Sequence, residues 1–297
     1  MTDTLESVRR KIESAGKLGS VVRTMKAQAA AGISQYEHSV RSLSGYFHTI
    51  EMGLSACFRL GGPAENLDLS RTRVSPHVIG AIVFGSDQGF VGQFNDRLAE
   101  FVTASLSSMP EKKIVWAVGE RIHSRLEDSG LPPDSLFVVP PSVAAIVPLI
   151  GQIILETEKR KFNLGNTRIF VFHNRPKIGA RYDPVCQRLL PLDETWRKNL
   201  ATRPWPGNNL PEVMGTGQNT LSALVREYLF VSLFRACAES LSSENASRLA
   251  AMQRAEKNIN EMLDELRQTG NFLRQSAIDA ELFDVIAGYE TQMAGRA

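Results

Sequence analysis

Proline is missing from both ends of this 297-residue chain. All 14 prolines lie between Pro63 and Pro211, leaving the first 62 and the last 86 residues without one. Proline removes an amide donor and clashes with the preceding helical turn, so these ends are free to form unbroken helices. Cysteine is scarce. Cys57, Cys186 and Cys237 are far apart, odd in number and outside any CxxC or Cys/His spacing, which supports neither a disulfide framework nor a zinc site and fits a reducing compartment. No run of about 18 apolar residues is present, so no direct membrane insertion is expected. The opening MTDTLESVRRK lacks an apolar h-region and does not read as a signal peptide. Net charge is small, +2 from 34 basic and 32 acidic side chains, too balanced for a general nucleic-acid binder. A GxxxxGK[ST] phosphate loop is absent, as is a GxSxG elbow. The five histidines do not cluster, so the sequence predicts no catalytic residue, no metal site and no cofactor.

What is present falls into three parts: 1–60, 61–211 and 212–297. In the first, apolar or small residues recur at steps of 3 or 4 from Leu5 through Val8, Ile12, Ala15, Leu18, Val22, Met25, Ala29 and onward to Leu54. That period, near 3.5 over roughly seven heptads, predicts a coiled-coil helix about 80 Å long. Thr4 suits an N-cap, and Gly61-Gly62-Pro63 is a stop. The last part repeats the pattern from Leu221 to Ile286, with Gly270 as an interruption, and predicts a helix of about 70 residues and roughly 105 Å. Residues 1–60 carry a net +3 and residues 212–297 a net −4, so the two helices are weakly complementary. Small residues on or near the seams, including Ala15, Gly19, Ala29, Gly32, Ala238 and Ala246, predict a closely packed helical hairpin.

The middle part changes period. The continuous apolar run at 78–84 predicts a strand buried on both faces, and 113–118, 136–139 and 168–172 predict three more. Helical patterns at 95–106, 120–128 and 142–161 lie between them, and 186–192 is a candidate antiparallel strand. Strands alternating with helices give an α/β fold class: a Rossmann-like, mostly parallel central domain flanked by the long antiparallel coiled coil. The first strand runs into Gly85-Ser-Asp-Gln-Gly-Phe-Val-Gly-Gln-Phe-Asn95, a glycine-bearing strand-to-helix loop with GxxxGxxG spacing rather than the dinucleotide GxGxxG. A tight turn, a protein-contact loop and a phosphate cradle are its three readings.

Long helix, α/β domain, longer helix is a rare order, and with it the chain resembles the gamma subunit family of rotary F-type ATP synthases. Ser243-Glu-Asn-Ala-Ser-Arg-Leu-Ala-Ala-Met252 resembles the family's SExAxRMxAM stretch. Arg274-Gln-Ser-Ala-Ile-Asp-Ala-Glu-Leu282, with Val285 to Gly288, resembles RQAxITxELxEIVxGA, and Ser86 to Asn95 resembles SDRGLCGxFN. Arg23-Thr-Met-Lys26 stands where the family has KAMxMVAA. The resemblance implies a non-catalytic central rotor shaft that couples ion-driven rotation of the membrane c-ring to ATP synthesis or hydrolysis. The ATP chemistry falls to three alpha and three beta subunits, and the foot meets an epsilon subunit and the c-ring, peripheral at the cytoplasmic face of a bacterial or archaeal plasma membrane. By position, Arg274, Gln275 and Asp279 would meet the beta subunits' catch region, and Met25 and Lys26 the beta levers. Asp87, Gln88, Gly89, Gly92 and Asn95 would form a lever or foot loop. Gln88 replaces the family's arginine, Val91 its cysteine and Asp279 its threonine, which suggests a divergent branch with proton or sodium as the coupling ion. The alternative is a nucleotide-binding or regulatory α/β protein whose helical hairpin only oligomerises it.

Overall fold

The computed structural model describes residues 4–59, 78–159, 167–177, 181–190, 192, 194–207, 209, 211–213 and 217–294. The contacts divide the chain into two units, Met1–Gln28 with Leu249–Ala297, and Ala29–Arg248. Two long helices run through both: α1 (Leu5–Arg59, 55 residues) and α6 (Gly217–Ala294, 78 residues). Thr4 caps α1, its Oγ1 accepting the Ser7 amide at 3.3 Å. Acid-before-base pairs Glu6–Arg10, Glu13–Lys17 and Glu37–Arg41 brace the exposed face one turn apart. The proposed stop at Gly61–Pro63 lies outside the described residues.

In the first unit, α1 and α6 pack antiparallel. Val8 lies beside Gly270, Gly19 beside Ile259, and the Lys26 ammonium meets the Glu256 carboxylate at 2.5 Å. Val22, Met252 and Ile259 form the core, with Met25, Ala251, Ala255 and Leu263 against it. Two findings refine the sequence reading. Gly270, which breaks the apolar pattern, does not break the seam: it packs against Val8 within a continuous α6. The apolar seam is narrower than its heptads: Leu18 is 55% exposed and Met262 51%. A straight helix has 3.6 residues per turn and drifts from a 3.5 repeat, so residues at seam spacing rotate into solvent.

The second unit is built on a five-stranded sheet of order β3-β2-β1-β4-β5. The strands are β1 (Val78–Phe84), β2 (Lys112–Val118), β3 (Ser135–Phe137), β4 (Thr167–Pro176) and β5 (Tyr182–Leu190). The first four are parallel and β5 is antiparallel to β4. The period of two splits β1 between two cores. Ile79, Ala81 and Val83 face α2 (Phe94–Ser107) and α3 (Glu120–Asp128), while Ile82 and Phe84 join the larger core with α4 (Val143–Lys159), α1 and α6. Pro148 stands inside α4, past the first turn, where it cannot donate to the Ala144 carbonyl and its ring crowds that turn. Here too α1 and α6 are antiparallel, with Gly53 beside Leu224 and Tyr46 donating to Glu227 at 2.8 Å. The expected strands and helices appear within a few residues of their predicted bounds. The short helix α5 (Glu194–Thr202), which the sequence reading did not include, packs Trp196 against Tyr228 with ring centroids 4.9 Å apart.

Candidate functional site

A doubly wound sheet receives ligands outside the carboxyl ends of its strands, where the strand order reverses. Here that point lies between β1 and β4. It is occupied by α6. Ser240 Oγ donates to the Phe84 carbonyl at the end of β1 (2.9 Å), and Ser243 Oγ to the Asn174 carbonyl in β4 (2.9 Å). Ser247 Oγ donates to the Val91 carbonyl in the loop after β1 (2.5 Å). Next to these serines, Glu239 is 5% exposed and accepts from His173 Nε2 (2.9 Å), Arg175 Nε (3.0 Å) and Arg235 Nε (2.7 Å). Burial opposes ionisation of Glu239, but these donors and their charge hold its pKa down at about 2. Burial keeps the pKa of His173 low against the pull of Glu239, so the imidazole is neutral and gives its Nε2–H. One turn further on, burial raises the pKa of Glu244 despite its ion pair with Arg248 at 2.6 Å.

The loop 85–95 is held from beneath. Gly85 leaves no room for a side chain, since a Cβ there would lie 2.2 Å from Ile122 Cβ. Gly119 has φ +116°, and a Cβ would meet the Ser86 carbonyl oxygen at 2.7 Å. Asn95 is buried; its Oδ1 accepts the Ser86 amide (3.1 Å) and its Nδ2 donates to Ser86 Oγ (2.8 Å). Asp87 caps α3 through the Glu120 amide (2.9 Å) and accepts the Val139 amide (2.8 Å). Gln88, Phe90, Gly92 and Gln93 are left on the surface, with Gly89 half-buried. Phe90 is 69% exposed and adopts φ 62°. That conformation costs a bulky residue of order 1–3 kcal/mol and persists where the surroundings impose it. Of the loop residues named from the sequence, Asp87 and Asn95 serve the loop's own frame, whereas Gln88 and Gly92 face outward.

The other named residues lie in the first unit. Met25 packs on the small core, and Lys26 is paired with Glu256. Arg274, Gln275 and Asp279 are exposed. Around them Phe272 (69%), Ile278 (57%), Leu282 (58%), Phe283 (69%), Val285 (71%) and Ile286 (46%) are exposed as well. The sequence reading placed Leu282, Val285 and Ile286 on the paired seam. Pairing with α1 reaches Val8 and Gly270, so this stretch has no opposing helix among the described residues. Sequence reasoning missed Ser240, Glu239 and His173, and gave Ser243 and Ser247 no role beyond their place in the SExAxRMxAM-like stretch. The available signal was polar residues spaced 3 and 4 apart on a helical face otherwise suited to a core.

Among the described residues, no group of three or more His, Cys, Asp or Glu is placed to hold a metal ion, and no helix is long and apolar enough to cross a membrane. The sequence profile described as ATP synthase matches residues 4–291. The ATP synthase gamma chain of Polynucleobacter asymbioticus is 24% identical over 293 residues, covering 97% of this chain and 99% of that one. That of Moorella thermoacetica is 25% identical over 295 residues, covering 96% and 97%. Among solved structures, a chain of the Euglena gracilis mitochondrial ATP synthase (OSCP, F1 and c-ring) aligns with TM-score 0.63 and 17% identity over 99% of this chain and 96% of its own. One from the Tetrahymena thermophila central stalk and c-ring aligns with TM-score 0.54 and 19% identity over 79% and 99%. With the profile running nearly end to end and the two-helix, α/β architecture shared, this chain belongs to the ATP synthase family, among its gamma chains.

Proposed function

We propose that the chain turns as the central shaft of a rotary ATP synthase and carries no catalytic site of its own. ATP chemistry then belongs to three alpha and three beta subunits around the free end of α6. The α/β unit is the foot, set against an epsilon subunit and the c-ring, and the chain is peripheral to the cytoplasmic face of the plasma membrane. The observation that carries this reading is the end of α6. Six large apolar side chains are exposed between Phe272 and Ile286, interleaved with Arg274, Gln275 and Asp279. Exposed apolar surface on this scale marks a covered surface in the working assembly. A sleeve of partner subunits supplies that cover without fixing one orientation, and the interleaved polar groups are available to engage each beta subunit in turn. The nucleotide-binding alternative would need the crevice between β1 and β4, and Ser240 and Ser243 of α6 already bond across it.

Co-expression with the alpha and beta subunits of the same genome tests the reading. The expected product is a complex of three alpha, three beta and one copy of this chain that hydrolyses ATP. Shortening the chain at Gly270 should abolish coupled ATP synthesis while leaving the α/β unit folded. A chain that purifies alone, or an alpha–beta assembly whose ATPase is unchanged by adding it, refutes the proposal.

A further inference from the structure

A serine or threonine inside a helix ordinarily bonds to its own backbone one turn back. Most hydroxyls of α1 follow that rule; Ser55, which donates to the Leu200 carbonyl at 2.7 Å, does not. Ser20 donates to Gly16 O (3.1 Å), Ser44 to Arg41 O (2.7 Å) and Thr49 to Gly45 O (3.0 Å). Three serines of α6 do not. Ser240, Ser243 and Ser247 all donate away from their helix, to backbone carbonyls of β1, β4 and the loop after β1. They are 2%, 0% and 8% exposed. Their spacing puts them on one helical face over about two turns, roughly 10 Å of axis.

Such an arrangement has a mechanical meaning. Apolar packing is non-directional, so it resists separation but lets a smooth helix slide or roll. A hydrogen bond is directional and weakens steeply off its axis. Three directional contacts to three separate pieces of backbone fix both the height and the rotation of α6 on the sheet. Glu239 reinforces them through His173 and Arg175, which flank Asn174 in β4.

We propose that Ser240, Ser243 and Ser247 key α6 to the α/β sheet, and that torque passes between shaft and foot through these three hydroxyls. The proposal rests on the shaft reading above. The serines are positioning residues: they transmit rotation to partners that do the chemistry.

The test is a rotation measurement on the alpha–beta–shaft complex, fixed through beta, with a bead on the foot. Cys186→Ser removes the exposed thiol, and Glu127→Cys on α3 provides the attachment point. Angular fluctuation of the bead during the ATP-waiting dwell gives the torsional stiffness. Alanine favours helix more than serine, so the triple variant Ser240→Ala, Ser243→Ala, Ser247→Ala leaves helix propensity intact. Three of the five described polar contacts from this face are then lost, and stiffness should fall about two-fold at an unchanged ATPase rate. A purely structural role would lower melting temperature and yield but not the stiffness of complexes that assemble. Wild-type stiffness in the triple variant overturns the proposal. If the triple variant does not assemble, the three single variants decide it: a partial loss in each supports the key, and wild-type stiffness in all of them refutes it. Failure of the wild-type chain to form a rotating complex refutes the shaft reading itself, and the key with it, before any variant is compared.

Discussion

Replacing Glu239 by glutamine should destabilise the α/β unit by an amount that depends on pH in a defined way. The carboxylate takes three N–H donors, from His173, Arg175 and Arg235. Glutamine keeps the shape, but its amide turns a donor toward at least one of them and removes the charge facing two guanidiniums. The fall of the carboxyl from its ordinary 4.5 to about 2 corresponds to roughly 3 kcal/mol of preference for the charged form. Two considerations reduce that figure. The Arg175 and Arg235 side chains are 47% and 50% exposed and can rehydrate when the carboxylate is lost. His173 is neutral, so it contributes a hydrogen bond and no full charge. The expected loss at pH 7 is therefore about 2 kcal/mol. The folded pKa lies below the unfolded value of about 4.3, so this stabilisation is complete above that pH and fades as the pH falls toward about 2. Glutamine does not titrate. The gap between wild type and Glu239→Gln should then shrink by more than half between pH 7 and about pH 3. Urea unfolding followed by tryptophan fluorescence measures it, because Trp116, Trp196 and Trp205 all lie within Ala29–Arg248. A gap below about 0.5 kcal/mol at pH 7, or one that persists undiminished at about pH 3, refutes the argument.

Asn95→Ala strands the buried Ser86 amide and should cost about 2 kcal/mol, seen as a melting point roughly 4–8 °C lower. Gly119→Ala combines φ +116° with a contact of 2.7 Å to the Ser86 carbonyl, so soluble yield should collapse; a wild-type melting curve would contradict the geometry. Lys26→Ala removes a half-exposed ion pair, and melting at low and high salt should show a loss of only about 0.5–1 kcal/mol that fades as salt rises. Arg274→Ala with Gln275→Ala should leave stability within about 0.5 kcal/mol, because both residues are exposed, yet lower ATP synthesis by the assembled complex about ten-fold. An unchanged synthesis rate would remove both from the contact with beta.

The architecture was legible because its signals are local. Proline placement, a sustained 3–4 spacing and short apolar runs mark α1, α6 and β1 to β4 directly. α5 was harder to read, since Glu194–Thr202 is short and lies close to Pro204 and Pro206. The limit of the coiled seam was hidden as well: Leu282 and Val285 have the same spacing as Val22, and only the extent of the opposing helix decides which is covered. The joint between α6 and the sheet depends on long-range contacts. Nothing near Ser240 indicates that its partner is Phe84, 156 residues away. His173 illustrates the same limit, since its neighbours in sequence suggest nothing of Glu239, 66 residues on.

The filled crevice between β1 and β4 has a consequence for regulation. A segment tethered to its own receptor acts at an effective concentration that no metabolite reaches by diffusion. Any soluble molecule competing for that position would first have to lift out the stretch of α6 that Ser240, Ser243 and Glu239 hold in place. The frame that elsewhere serves as a chemical sensor is thus self-liganded here by α6.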